Sequence, residues 1–160
     1  MVENFDDKEI GKKYDAICSA IKKISNKFKA RILVVDDNEI NLEVAVGMLE
    51  LLGCDVDTAS GGEEAIRKFE ENENYDIVFM DIMMPDIDGF KTTESIREMS
   101  KRKRKNPVII GLSANIFGKD DIEKCLTSGM NDCIVKPVKS VILETRLQKW
   151  KLQNGLLKNL

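Results

Sequence analysis

The 160-residue sequence contains no histidine. That absence removes several chemistries at once. A Ser-His-Asp or Cys-His nucleophile cannot be assembled. A His-ligated metal centre and a phosphohistidine within the chain are excluded as well. The four cysteines, Cys18, Cys54, Cys125 and Cys133, include no CxxC pair, so zinc-ribbon and thioredoxin-type sites are not expected. Isolated thiols with apolar flanks read as reduced core residues of a cytoplasmic protein. Long apolar runs are lacking too, since none approaches the roughly 18 residues of a membrane span. The opening MVENFDDKEIGKK is polar and has no apolar segment of a secretory signal. Nor is there a basic excess: 25 Lys and Arg face 28 Asp and Glu, so no nucleic-acid partner is expected. What is left for chemistry is carboxylates, lysine, hydroxyls and a hard metal ion.

An apolar fraction of 42% is enough for a core, and the length suits one domain with an appendage. Two compositions meet near Lys29. Residues 1–29 carry seven basic and five acidic residues, and the remainder 18 and 23. Within the first segment Ile10, Tyr14, Ile17, Ile21, Ile24 and Phe28 recur at spacings of four and three, which puts them on one helical stripe. Asp6 followed by Glu9 fits a capping box, so a helix is predicted from Asp7 to Phe28. Six such side chains do not stay in water. The stripe either folds back on its own domain or pairs residues 7–28 in a homodimer, and the 3.5-residue period suits a supercoiled seam.

From Arg31 the pattern changes. Ile32–Val35, Ile77–Met80, Val108–Leu112 and Cys133–Val135 are short apolar runs rich in β-branched residues. Such runs suit strands buried on both faces of a parallel sheet. Cys54–Ala59 alternates, as an edge strand does. Helical patterns lie between: Ile40–Leu52 stopped by Gly53, Ser60 and Glu63 capping a helix to Glu71, Phe90–Ser100, Lys119–Ser128 stopped by Gly129, and Val138–Lys151. The run Lys101–Lys105 reads as a solvated loop. The order predicts an α/β fold, a doubly wound five-stranded parallel sheet with five helices, preceded by the amino-terminal amphipathic helix. The expected divisions are 1–29, 30–152 and a short tail, 153–160.

In such a sheet ligands bind outside the carboxyl ends of the strands. There the sequence places Asp36-Asp37, Asp81, Ser113-Ala114 and Lys136-Pro137. An Asp after a strand is ordinarily a turn or cap residue, and Asp37 could cap the helix that follows. Three acids, a hydroxyl and a lysine meeting at one rim is a different matter. Close carboxylates repel and raise one another's pKa, and a divalent cation with oxygen ligands relieves this. One carboxylate with a free oxygen can then attack a phosphoryl group, with Lys136 and Ser113 stabilising its oxygens.

At these residues the sequence resembles the receiver domains of two-component response regulators, particularly those of hybrid histidine kinases and phosphorelays. The resemblance rests on Asp36-Asp37 after an apolar strand, the phrase Met80-Asp81-Ile82-Met83-Met84-Pro85, Ser113-Ala114-Asn115 and Lys136-Pro137, and it covers residues 30–152. It implies a flavodoxin-like fold with Asp81 as phosphoacceptor. It implies Mg²⁺, with Mn²⁺ as the alternative, held by Asp36, Asp37, Asp81 and the backbone carbonyl of Met83. Ser113 would be the switch hydroxyl, Lys136 a phosphoryl ligand, and the Lys136–Pro137 bond cis. The donor would be a phosphohistidine on a histidine kinase or histidine phosphotransfer protein, necessarily on other residues than these.

One position departs from the family pattern. Where Tyr or Phe usually stands, three residues before the lysine, this chain has Cys133. A thiol cannot swing a ring, so the aromatic part of the switch is in question. Two other readings compete. A receiver-like module could dock without accepting phosphoryl. A haloacid-dehalogenase-type phosphatase would need an acid where Asn38 stands. Beyond Trp150 little sequence follows, so output is expected through protein contacts, phosphoryl relay or the amino-terminal helix.

Overall fold

The structure is a computed structural model that describes residues 7–25, 28–71, 74–103, 106–115 and 118–153, with the side chains of Asp7, 21–25 and 152–153 left out. The elements run α1 (Asp7–Ser25), β1 (Arg31–Val35), α2 (Glu39–Leu51), β2 (Asp55–Ala59), α3 (Gly62–Glu71), β3 (Ile77–Asp81), α4 (Gly89–Lys103), β4 (Val108–Ser113), α5 (Lys119–Ser128), β5 (Asp132–Val135) and α6 (Ser140–Gln153). The five strands form one parallel sheet in the order β2-β1-β3-β4-β5.

The apolar runs are strands because the sheet is covered on both faces. Side chains alternate across a strand, and two separate cores follow that alternation. Ile32, Val34, Ile77, Phe79, Ile110 and Leu112 join Leu42, Leu49, Leu143 and Leu147 on the α2 and α6 side. Leu33, Val35, Val78, Met80 and Ile109 join Ala65, Phe69, Ile96 and Cys125 on the α3–α5 side. The alternating segment is the edge strand β2. Its Asp57 accepts hydrogen bonds from Tyr75 Oη at 2.6 Å and the Arg31 guanidinium at 3.1 Å. Gly53 and Gly129 take φ of 90° and 101° at the ends of α2 and α5, a backbone turn that side-chain-bearing residues resist.

Four local expectations are corrected. Asn38, not Asp37, caps α2, its side chain accepting from the Ile40 and Asn41 N–H groups. Glu64, not Glu63, answers Ser60, accepting from both its N–H and its hydroxyl at 2.7 Å. Lys101–Lys103 belong to α4 rather than to a loop, since positive charge is favourable at a helix carboxyl end. The first helix is described over Asp7–Ser25, residues 26 and 27 lie outside the described residues, and Phe28 is not helical. Asp6 lies outside the described residues, as do residues 104 and 105 of the basic run.

The stripe of the first helix is divided. Phe28 is 1% exposed within the α2/α6 core. Its N–H donates to the Leu52 carbonyl at 3.2 Å, and Lys151 Nζ sits 4.8 Å from its ring centroid. Ile10, Tyr14 and Ile17 instead remain exposed along α1. No helix among the described residues is long and apolar enough to cross a membrane.

Candidate functional site

β1 lies between β2 and β3, and the chain order reverses there. In open α/β sheets that reversal opens a crevice at the strand ends. β1 and β3 pair with Val35 opposite Met80. The next residues, Asp36 and Asp81, are therefore level with each other. Carboxylate oxygens of Asp36, Asp37 and Asp81 all lie within 4.8 Å of one another. Asp36 and Asp81 are 2% and 4% exposed, while Asp37 faces solvent.

Backbone contacts hold the acids in place. The Asp36 N–H donates to the Ala59 carbonyl at 3.1 Å, and the Ile82 N–H to the Leu112 carbonyl at 3.1 Å. Asp36 Oδ1 accepts the Asn38 N–H at 2.9 Å. Asn41 Nδ2 reaches the same carboxylate at 3.3 and 3.4 Å. Sequence reasoning gave Asn41 no role. Its spacing, five residues after Asp36 and on the first turn of α2, is the signal that marks it.

Lys136 arrives from the end of β5, a hundred residues from Asp36. Its Nζ lies 2.8 Å from Asp36 Oδ2 and 3.2 Å from Asp81 Oδ1. Burial alone would lower the ammonium pKa, but the Asp36 hydrogen bond and the charges of Asp81 and Asp36 outweigh it, and the net shift is upward. Asp81 is pushed up to about 6, first by burial and then by the Asp36 charge, with Lys136 opposing both. Protonated Asp81 can also donate to the Asp37 carboxylate, which further favours the protonated form.

One ammonium among three ionised acids leaves two negative charges uncompensated. The donors are all hard oxygens, which suits Mg²⁺. The residues present thus fit a divalent cation. Met83 stands two residues beyond Asp81, its side chain 74% exposed. Ser113 ends β4, and its hydroxyl exchanges hydrogen bonds at 3.3 Å with the Asn115 backbone rather than with the carboxylates. The Lys136–Pro137 bond is cis. Cys133 is half-buried, and its Sγ lies 3.3 Å from where a β-carbon on Gly111 would sit. It fills space beside β4 as a core residue, packed with Met130 and Cys125 in the α3–α5 core. Beside the acids, Val44, Met48, Leu112 and Pro137 line a largely apolar cavity of about 400 Å³ that has Asp36 and Lys136 on its wall.

A doubly wound sheet with clustered acids and a lysine at its reversal point defines a flavodoxin-like domain with an oxygen-donor site. The chain belongs to the response regulator receiver domain family, whose model matches residues 32–148. It is 38% identical over 128 residues to hybrid signal transduction histidine kinase L of Dictyostelium discoideum, a match covering 78% of this chain and 7% of that protein. The chain thus spans less than a tenth of that relative. Among solved structures it is similar to the receiver domain of sensor histidine kinase PA1611 of Pseudomonas aeruginosa, which has a magnesium ion coordinated in its active-site cleft. That match has 38% identity and a TM-score of 0.66, covering 76% of this chain and 97% of the other. It is also similar to the receiver domain of the Saccharomyces cerevisiae response regulator Ssk1, crystallised with the histidine phosphotransfer protein Ypd1. There the identity is 27% and the TM-score 0.73, over 81% and 94% of the two chains.

Proposed function

We propose that this chain is the phosphoryl-accepting receiver of a cytoplasmic two-component phosphorelay, with Asp81 as the phosphoacceptor. The observation that carries the reading is Lys136 bound at once to Asp36 and Asp81, with all three acids within 4.8 Å. Asp36, Asp37, Asp81 and the Met83 carbonyl would hold Mg²⁺, which when bound neutralises phosphoryl oxygens; Mn²⁺ would serve the same oxygen donors. An Asp81 carboxylate oxygen attacks phosphorus. The bond from phosphorus to the donor's imidazole nitrogen breaks, and that nitrogen leaves with the bonding electron pair and takes up a proton. Lys136 gives up its bond to Asp81 and pairs with a phosphoryl oxygen. The Ser113 hydroxyl turns from Asn115 towards another, and that movement carries the signal. Water later cleaves the acyl phosphate. The domain is an enzyme only in promoting these two reactions on itself.

The donor is a histidine kinase or histidine phosphotransfer protein, because a chain without histidine cannot supply a phosphohistidine from these residues. Incubation with Mg²⁺ and acetyl phosphate, followed by intact-mass measurement, tests the reading. One phosphoryl group is expected on the native chain and none on Asp81→Asn. Full modification of that variant would overturn the assignment. No modification of the native chain would indicate a silent module, and steady hydrolysis of phosphate esters a phosphatase.

The second contact of this reading is a homodimer through α1, without Phe28, which is buried in the receiver core. Ile10, Tyr14 and Ile17 are 50%, 68% and 58% exposed on one helix. Residues 1–15 carry five acids and three bases, residues 16–29 four bases and no acid. Two copies therefore complement each other head to tail, which also opposes the helix dipoles. Sedimentation of the full chain is expected to show a dimer that Ile17→Glu dissociates. A monomeric native chain at high micromolar concentration would exclude it.

A further inference from the structure

The loop from Ile82 to Asp88 carries the Met83 carbonyl from β3 to α4. Its ends are closed by the Gly89 N–H donating to the Ile82 carbonyl at 2.9 Å. Near β3 it is seated by Ile82 and Met84, which are 6% and 9% exposed in the core. Pro85 and Asp86 are exposed and Ile87 and Asp88 half-buried, and one side chain there reaches across to another element. Asp86 Oδ2 accepts the Glu63 N–H at 3.0 Å. Through that bond the carboxylate caps the first turn of α3 from outside.

The sequence of α3 is shaped to receive it. A β-carbon on Gly61 would stand 2.7 Å from Asp86 Oδ2, and one on Gly62 would run into the Thr92 hydroxyl of α4 and stand 3.1 Å from the Ile87 carbonyl. Two consecutive glycines thus let the loop lie directly on the start of α3. The open N–H groups of a helix start favour an anionic acceptor. Those N–H groups also pull the Asp86 carboxyl down against the effect of its own burial, so it is ionised at neutral pH.

We propose that Asp86 is a positioning residue: bound to the Glu63 N–H in the first turn of α3, it fixes the loop that offers the Met83 carbonyl to the cation beside Asp81. The inference rests on the metal reading of the site and adds a residue that touches neither metal nor phosphoryl group. A residue two contacts from the ion acts through geometry, as outer-shell partners of metal ligands do.

The experiment compares the full chain with Asp86→Ala and Asp86→Asn. Mg²⁺ affinity is measured by calorimetry, and amide exchange at Gly62 and Glu63 by NMR without metal. Asp86→Ala is expected to speed exchange at both amides and weaken Mg²⁺ binding by about threefold to tenfold, at or below the low end for outer-shell partners. Asp86→Asn, whose carbonyl can accept the same N–H groups, is expected to recover most of both. Unchanged Mg²⁺ affinity in Asp86→Ala, with faster exchange, would show a plain helix cap and overturn the inference alone. A native chain that binds no Mg²⁺ at millimolar concentration would overturn the metal reading and this inference with it.

Discussion

At the scale of single residues, the site is held in tension by Asp81. Its carboxyl binds a proton more tightly in the folded chain, at about 6, than the ordinary value of 3.8. A group raised on folding stabilises the native state at low pH, and that contribution is lost as pH rises through the folded value. Metal-free protein is therefore expected to lose on the order of 1–3 kcal/mol between pH 4 and pH 7 from this group. Asp81→Asn should remove that loss and melt higher than the native chain at pH 7 in EDTA. Thermal denaturation of both proteins at the two pH values checks it; equal slopes with pH would refute the strained carboxylate. Lys136 shows the converse. Its ammonium is 22% exposed on the side chain and tied to two acids, so it is available to a third oxygen without leaving the site.

At the scale of elements, α5 and β5 carry the departure from the family pattern. Cys133 and Cys125 share the α3–α5 core, and burial pushes both thiols up. Both stay protonated near neutral pH and act as packing groups. A phosphoryl group moves an equilibrium only through interactions that differ between two states. On the proposed reading Ser113 would supply one such difference, and no ring at position 133 supplies a second. Beryllofluoride is therefore expected to shift amide signals near Asp81, Ser113 and Lys136 strongly and those of α5 only modestly. Large shifts continuing through Ile122 to Cys125 would show that α5 moves without the ring. The elements themselves were legible in sequence, because apolar runs and helical spacing are local signals. The caps were less so. Ser60 with Glu63 and Ser60 with Glu64 fit a helix start almost equally, and only the way the chain enters α3 selects Glu64. Asp86 was not legible at all as a partner of α3, since 23 residues separate it from Glu63.

At the scale of the whole molecule, cation binding and folding are linked. A ligand that binds only the native state stabilises it by mass action, by about 2.7 kcal/mol at a hundred times its dissociation constant. For a chain of this size that corresponds to roughly 5–10 °C in melting temperature. Asp37→Ala is the clean control, because Asp37 faces solvent, whereas Asp36 also holds Lys136. Saturating Mg²⁺ should raise the midpoint of the native chain and raise that of Asp37→Ala less. Equal midpoints with and without Mg²⁺ in the native chain would argue against the metal site.

The sequence by itself determined the five strands, the helices between them and which residue types stand at the strand ends. Periodicity and apolar runs act within a few residues, so they survive without knowledge of the fold. Tertiary structure alone decided that Phe28 leaves the α1 stripe for the receiver core. It also decided that Asp86 crosses to α3. The reach of Lys136 across β4 to both acids is of the same kind. Each of these depends on strand order and register, which bring residues tens to a hundred positions apart within hydrogen-bond distance and which no local pattern encodes.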